Sequence, residues 1–369
     1  MTRQLRVAVT LEQCWHDVPG GTARSALDAV SAMVRHARLD LVGVSARHRH
    51  PPPPEWRPEI AVRMLPLPRL ALYESWHALR WPAVQLATGA VDVIHATGMA
   101  VPPRSAPLVV TVHDLGFLHQ PGHVTKHGLR FFRRAIDLAR READLVIAPS
   151  QATIDDCVAH GFDPVRLRLV PWGIRIETAS ASEVAQMLTA RRIERPYVLW
   201  TGTVEPRKNL PVLLEAFGRM DIDDVDLVLA GPAGWNEDLE RLIGSKLRDR
   251  VHVLGFVPPP DLRALYAGAS LFCLPSIREG FGLPVLEAMA QGTPVVTSAG
   301  TATEEVVGDA GLVVDPTDVD GLARAMERIL RDDALTRRLG ELARERAATF
   351  TWERTAASLV AAYEEAAGR

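Results

Sequence analysis

The chain alternates short, wholly apolar runs with longer stretches whose apolar residues recur every three or four positions. LRVAVTL (5–11), LDLVGVSA (39–46), VDVIHATG (91–98), PLVVTVHD (107–114) and ADLVIAPS (143–150) have strand length and little polar alternation, the pattern of strands covered on both faces in a parallel sheet. Between them, Ala26, Leu27, Val30 and Val34 mark one helix, and Leu72, Trp76, Leu79 and Val84 mark a stripe in another over 71–84, core packing by default and an acceptor or membrane-facing surface as the alternative. The stretch 127–143 predicts an amphipathic helix with several arginines on its polar side. IAVRMLPLP (60–68) predicts a short strand, and RLRLVPWGI (166–174) closes this half. The proline-rich RHRHPPPPEW predicts a surface loop that leaves His48 and His50 in solvent.

Residues 175–195 break the rhythm and read as a linker with a short helix; YVLWTG (197–202) then starts it again. VDLVLAGPAGW (225–235), RVHVLGFVP (250–258), ASLFCLP (269–275), TPVVTS (293–298) and GLVV (311–314) follow as strands or strand–loop units. The last helix, TWERTAASLVAAYEEA (351–366), has an apolar face that needs a partner, and packing back on the first domain would supply one. A chain of 369 residues suits two α/β domains better than one core. The expected division is 1–178 and 179–350, with 351–369 returning to the first domain.

PSIREGFGLPVLEAMAQGTPVVTS (275–298) carries the most chemistry. It reads as a glycine-broken loop at the carboxyl end of a strand, followed by a helix with Pro284 in its first turn, where a missing N–H costs nothing. Gly280 and Gly282 allow close ligand approach, and the helix start suits an anion such as phosphate. Glu279 and Glu287 flank this turn. Carboxylates beside an anion site fit a ligand that also offers hydroxyl groups, as a nucleotide sugar does, although an ordinary helix start with surface glutamates fits the same letters. Arg207-Lys208 follows the first strand of the second domain. The pair reads as a diphosphate clamp, the arginine a fork and the lysine a point charge, or as a solvated loop pair. In the first domain Gly20–Gly21 after the first strand is either a tight turn or part of a site. It is not the G-x-G-x-x-G fingerprint. His113, next to Asp114 at a strand end, is open to a structural or a site role.

Composition, 47% hydrophobic and 24% charged, is that of a folded soluble protein. The net charge of -3 is uneven: residues 1–180 hold 21 Lys+Arg against 16 Asp+Glu, and 11 of the 12 histidines. A modestly basic first half suits an anionic lipid or acceptor and leaves peripheral membrane contact open. No dense basic patch with interleaved aromatics supports nucleic-acid binding. Cys14, Cys157 and Cys273 share no close spacing, so neither zinc nor disulfides are indicated. Asp318 and Asp320 sit at a helix entry, where capping is expected rather than chelation, so no metal is assigned. No run reaches membrane-spanning length and the start lacks a signal-peptide pattern; the expected setting is cytoplasmic, with the inner membrane face open.

GTVEPRKNL (202–210), SIREGFGLPVLEAMAQGTPVV (276–296) and EEVVGDAGLVVDPTD (304–318) together resemble the signature stretches of retaining glycosyltransferase family 4, and PGG (19–21), HD (113–114) and ADLVIAPSQAT fit the same family. The resemblance covers nearly the whole chain. It implies the GT-B fold, two facing Rossmann-like domains with a ligand cleft between them. It implies Arg207 and Lys208 on the donor diphosphate, Glu287 on the nucleotide ribose and Glu279 on the donor sugar. The backbone N–H groups of Gly280, Phe281, Gly282 and Leu283 would surround the sugar and phosphate, with Gly20 and Gly21 near the phosphates and His113 near the reaction centre. The catalytic set it implies is His113, Glu279, Arg207 and Lys208. The TGTVEPRKN wording resembles the mannosyltransferase branch, hence GDP-mannose as donor, no metal, and a glycan or lipid-linked acceptor. UDP-glucose or a non-catalytic nucleotide-sugar-binding protein are the alternatives. Two departures stand out: Trp172-Gly173 where many relatives carry an asparagine before the glycine, and Glu304-Glu305 where they carry proline–glutamate.

Overall fold

Among the described residues of the computed structural model, thirteen strands pair in parallel, in two separate sheets. The structure describes residues 4–16, 20–123, 125–232, 234 and 239–368. The first sheet contains β1 (Leu5–Thr10), β2 (Leu39–Ser45), β3 (Val62–Met64), β4 (Val93–Ala96), β5 (Leu108–Thr111), β6 (Leu145–Ala148) and β7 (Leu167–Leu169), in the order β3-β2-β1-β4-β5-β6-β7. The second contains β8 (Tyr197–Thr201), β9 (Asp226–Ala230), β10 (Val251–Gly255), β11 (Leu271–Leu274), β12 (Val295–Ser298) and β13 (Leu312–Val314), in the order β10-β9-β8-β11-β12-β13. Each is a doubly wound Rossmann-like sheet, with its strand order reversing between β1 and β4 or between β8 and β11. The central strands are buried along their length, which is why they read as apolar runs.

The chain divides into Met1–Gly173 with Thr351–Arg369, and Ile174–Phe350. The first boundary therefore falls five residues before the expected 178. Residues from Ile174 onward already belong to the second unit, where Ile174 N–H donates to the Phe350 carbonyl at 2.9 Å. The linker helix is Ala181–Arg191, started by a capping box between Ser180 and Glu183.

The terminal helix Trp352–Gly368 lies in the first unit against the helix Gly20–His36. Its Tyr363 hydroxyl is 2.7 Å from His95 Nδ1, whose Nε2 is 2.8 Å from Thr111 Oγ1. Burial pulls the His95 imidazole down to about 3, so it is a neutral tie between helix and sheet.

Two smaller expectations need correction. Leu72, Trp76 and Val84 are buried, but Leu79 is 74% exposed, because the helix Arg69–Ala78 ends before it and Arg80 turns to φ 51°. His48 is not a solvent histidine: it stacks on Trp15 at 4.7 Å and lies 2.9 Å from the buried Glu12 carboxylate. Among the described residues no helix is long and apolar enough to cross a membrane. The GPAGW loop runs partly outside the described residues.

Candidate functional site

In a doubly wound sheet the ligand crevice opens at the carboxyl ends of the two strands where the order reverses. In the second unit those strands are β8 and β11, and the loops leaving them carry Arg207-Lys208 and Glu279. After β8 the chain makes a single 3-10 turn, Pro206–Lys208, and Asn209 follows in the left-handed region at φ 57°. Asn209 Nδ2 donates to the carbonyls of Pro275 and Pro316 at 3.0 and 2.7 Å, and Ile277 N–H donates to the Arg207 carbonyl at 2.8 Å. The two loops are thereby fixed to each other.

The side chains converge on one carboxylate. Lys208 Nζ lies 2.6 Å from Glu279 Oε1, Arg207 donates to Oε2 at 2.8 Å, and Ser276 Oγ donates to Oε1 at 2.8 Å. Arg207 also pairs with Glu205 at 2.7 Å. Two cations and two carboxylates balance, so Arg207 and Lys208 are not a solvated loop pair.

The two cations differ in access. The Arg207 side chain is 31% exposed and that of Lys208 only 7%. Burial alone would push the Glu279 carboxyl up. Arg207 and Lys208, with hydrogen bonds from Lys208 and Ser276, outweigh it and hold the group at about 2. Burial pulls the Lys208 ammonium below its ordinary value even with Glu279 opposing. The carboxylate is the better satisfied partner, because the ammonium shares it with Arg207.

The helix Leu283–Gln291 starts at Gly282, whose φ of 101° and lack of a Cβ are both required: a Cβ would sit 2.7 Å from Thr303 Cγ2. The N–H groups of its first turn have no acceptor within the helix, the feature that suits an anion. Gly280, Phe281 and Gly282 are buried, and the Phe281 ring packs edge-on to Phe350 at 6.0 Å, so only its backbone is placed for a ligand. Glu287 lies one turn into the helix and accepts a 2.9 Å hydrogen bond from the Tyr266 hydroxyl. Thr201 Oγ1 is 2.7 Å from that hydroxyl. Burial, then the Glu287 charge, pushes the Tyr266 phenol well above its ordinary value; the phenol stays protonated, donates to Glu287 and accepts from Thr201. Tyr266→Phe should lower unfolding stability by about 1–3 kcal/mol, since the buried Thr201 hydroxyl and the half-buried Glu287 carboxylate each lose a partner; chemical denaturation reads this, and an unchanged midpoint would mean the chain is not held together here.

In the first unit, Gly20 and Gly21 begin the helix Gly20–His36, with Gly20 at φ 65° and open space where either Cβ would be. Pro19, which precedes them, lies outside the described residues. His113 follows β5, and its Nε2–H donates to the Thr97 carbonyl at 2.9 Å. That bond fixes the tautomer and leaves Nδ1 as the acceptor nitrogen. Burial lowers the pKa of this imidazole. Asp114 is not seen to orient it by hydrogen bond; its carboxylate accepts from Gly116 N–H at 2.9 Å, at the first residue of the short helix Gly116–His119. Instead His113 meets Trp172, with ring centroids 5.9 Å apart, and Trp172 stacks on Trp352 at 6.3 Å. Trp172, one of the two departures, is thus a packing partner of His113. Glu304, in the other, accepts from Gly300 N–H at 2.7 Å.

Glu205, Asn209, Ser276, Thr201 and Tyr266 were not singled out in the sequence. Glu205, two residues before Arg207, was the one local cue. Tyr266 sits on the apolar side of a helix, Pro259–Gly268, and reads as core. Asp318 caps its helix through Gly321 N–H at 2.8 Å, as expected.

Residues 189–346 match the family described as glycosyl transferases group 1, and residues 19–178 match glycosyltransferase family 4. The chain is 33% identical over 282 residues to the O-antigen chain mannosyltransferase B of Escherichia coli, covering 74% of each chain. It is 32% identical over 305 residues to the MMP alpha-(1->4)-mannosyltransferase of Mycolicibacterium hassiacum, covering 76% of this chain and 72% of that one. Among solved structures, HepE of Anabaena, crystallised with UDP and glucose, superposes with a TM-score of 0.78 at 22% identity, covering 98% of this chain and 100% of that one. Sucrose-phosphate synthase of Thermosynechococcus elongatus gives 0.77 at 23%, covering 98% and 99%. At such identities the structural likeness bears on the fold, which is GT-B.

Proposed function

The chain belongs to glycosyltransferase family 4, and from that premise we propose that it moves mannose from GDP-mannose to a glycan or lipid-linked acceptor, with retention of anomeric configuration and without a metal. The observation that carries this reading is the Glu279 carboxylate held by Arg207 and Lys208 at the switch point of the second sheet.

Sugar transfer from a nucleotide diphosphate builds negative charge on the departing phosphate. Fixed cations and aligned N–H groups favour that charge as it appears and need no reorganisation. Arg207, the more accessible cation, meets the diphosphate, and Lys208 supports it from behind Glu279. Glu287, fixed by Tyr266, accepts hydrogen bonds from the ribose hydroxyls. From the first unit we assign His113 Nδ1 to the sugar side and Gly20–Gly21 to the phosphates. The mannosyltransferase relatives favour mannose. Leu70, Leu79, Trp81 and Leu86, all exposed on the first unit, support an acceptor carried by a lipid and a cytoplasmic enzyme working at the membrane face.

The test is nucleotide diphosphate release from GDP-mannose, UDP-glucose and related donors, with and without lipid-linked and oligosaccharide acceptors, in the presence of a chelator. Acceptor-dependent GDP release that survives the chelator is expected. Preference for UDP-glucose would overturn the donor assignment, loss with chelator the metal-free chemistry, and binding without release under every acceptor the assignment as a transferase.

A further inference from the structure

Apart from the cluster of the second unit, two imidazoles and a carboxylate converge on the first unit. His119 ends the helix Gly116–His119; Asp156 lies on the helix Gln151–Ala159 and His160 caps it. Asp156 Oδ1 is 2.7 Å from His119 Nε2 and 3.3 Å from His160 Nδ1, and one ligand atom from each residue lies within 4.8 Å of the others. The His119 and His160 rings stand nearly perpendicular, 88° apart, with centroids separated by 5.2 Å. The Asp156 side chain is only 10% exposed, and the imidazoles about a third, so the group is recessed at its acid and open at its bases.

We propose that His119, Asp156 and His160 bind one divalent transition-metal ion of the zinc class, as a clamp distinct from the transferase chemistry. Four points in the geometry carry it. A tetrahedral ion with bonds of about 2.0–2.1 Å sets its ligands about 3.3 Å apart, which small rotations of these side chains reach. A set of two imidazoles and one carboxylate favours zinc, cobalt or nickel over magnesium or calcium. Asp156 and His160 stand four residues apart on one helical face, the spacing at which one helix presents two ligands. The third ligand, His119, arrives from a separate segment, 37 residues earlier in the chain.

Binding requires no net proton release from neutral rings. The protons now held between the imidazoles and Asp156 move to the other ring nitrogens, and the ion takes their place. The His160 ring, whose Nδ1 is also 2.8 Å from the Asp156 carbonyl, then exchanges that bond for the metal.

The clamp has a mechanical consequence. The segment leaving β5 carries His113, Asp114 and then His119, and the helix Gln151–Ala159 already touches it through Thr153 Oγ1, 3.4 Å from the His113 carbonyl. An ion at His119 would fasten the far end of the same segment to the same helix.

The experiment uses the full chain with any affinity tag removed, stripped with chelator and titrated with Co²⁺ alone. Ligand-field absorption reads the site, Zn²⁺ displaces the cobalt, and thermal unfolding is followed in parallel. Expected are one Co²⁺ per chain, displacement by Zn²⁺, and a Tm raised by Zn²⁺ in the wild type. His119→Gln should weaken Co²⁺ by more than about tenfold and remove the Zn²⁺ effect on Tm, since a three-ligand site loses one of its ligands. His160→Asn, whose side chain is equally solvent-facing, should do the same if His119→Gln misfolds. Absorption that fails to saturate in the wild type, or that is unchanged from wild type in both variants, would overturn the proposal.

Discussion

Lys208→Met should lower the stability of the second unit by about 3 kcal/mol, because it leaves a buried carboxylate with one cation in place of two. Glu279 is 9% exposed, so solvent compensates little for a lost partner, and the methionine fills the lysine stem's volume without adding a donor. The pH dependence fixes the cause. The Glu279 carboxyl is held at about 2, against an ordinary value near 4.5, so it contributes stability that is complete above the ordinary value and is lost as pH falls toward 2. The gap between wild type and Lys208→Met should therefore be full at neutral pH and close progressively below about pH 4.5. Denaturant unfolding at several pH values measures it. Replacing both partners, Lys208→Met with Glu279→Leu, should recover much of the loss, because no uncompensated charge remains buried. A single variant as stable as wild type, or a gap that widens in acid, would remove the pair from the account.

Glu279→Gln should lower kcat/KM for the donor on the order of 10²–10³-fold, the usual loss when a charge-stabilising group is misplaced at a reacting phosphate. The amide is close to isosteric, so shape is kept while the charge is removed. Lys208 then loses the carboxylate it touches and keeps only the weaker influence of Glu205, which must also serve Arg207. The two cations are no longer held to one side by a common anion. Steady-state turnover with a fixed acceptor, together with donor binding by calorimetry, separates loss of binding from loss of turnover. A variant with unchanged kcat/KM would show that the carboxylate holds the fold and does not act in transfer.

Much of this was legible in the sequence because apolar runs and glycine-broken strand ends are local signals. PSIREGFGLPVLEAMAQG announces strand, loop and helix start within two dozen letters, and the structure has β11, the turn and the helix Leu283–Gln291 there. Arg207-Lys208 was equally local. What the letters do not carry is who faces whom. That Glu279 would sit against both cations depends on β8 lying beside β11, a pairing between strands some seventy residues apart. Tyr266 was invisible for the same reason. His119 with Asp156 and His160 was hidden because only the fold brings the short helix after β5 to the helix after β6. Leu79 was misread because helical spacing persisted past the point where Arg80 ends the helix, and His48 because a proline-rich neighbourhood says nothing of Trp15 and Glu12 across the loop.

The most direct test of the central claim, that the strand-end cluster of the second unit handles a nucleotide diphosphate sugar for transfer, is the rate of GDP release from GDP-mannose in the presence of acceptor, measured for wild type and Arg207→Ala. Arg207 is the accessible member of the cluster, and its removal leaves the buried Lys208–Glu279 pair in contact; denaturant unfolding of the same variant separates a loss of turnover from a loss of fold. The account predicts steady release by wild type and a fall of roughly 10²-fold or more in kcat/KM for Arg207→Ala. Equal rates in the two proteins would contradict it.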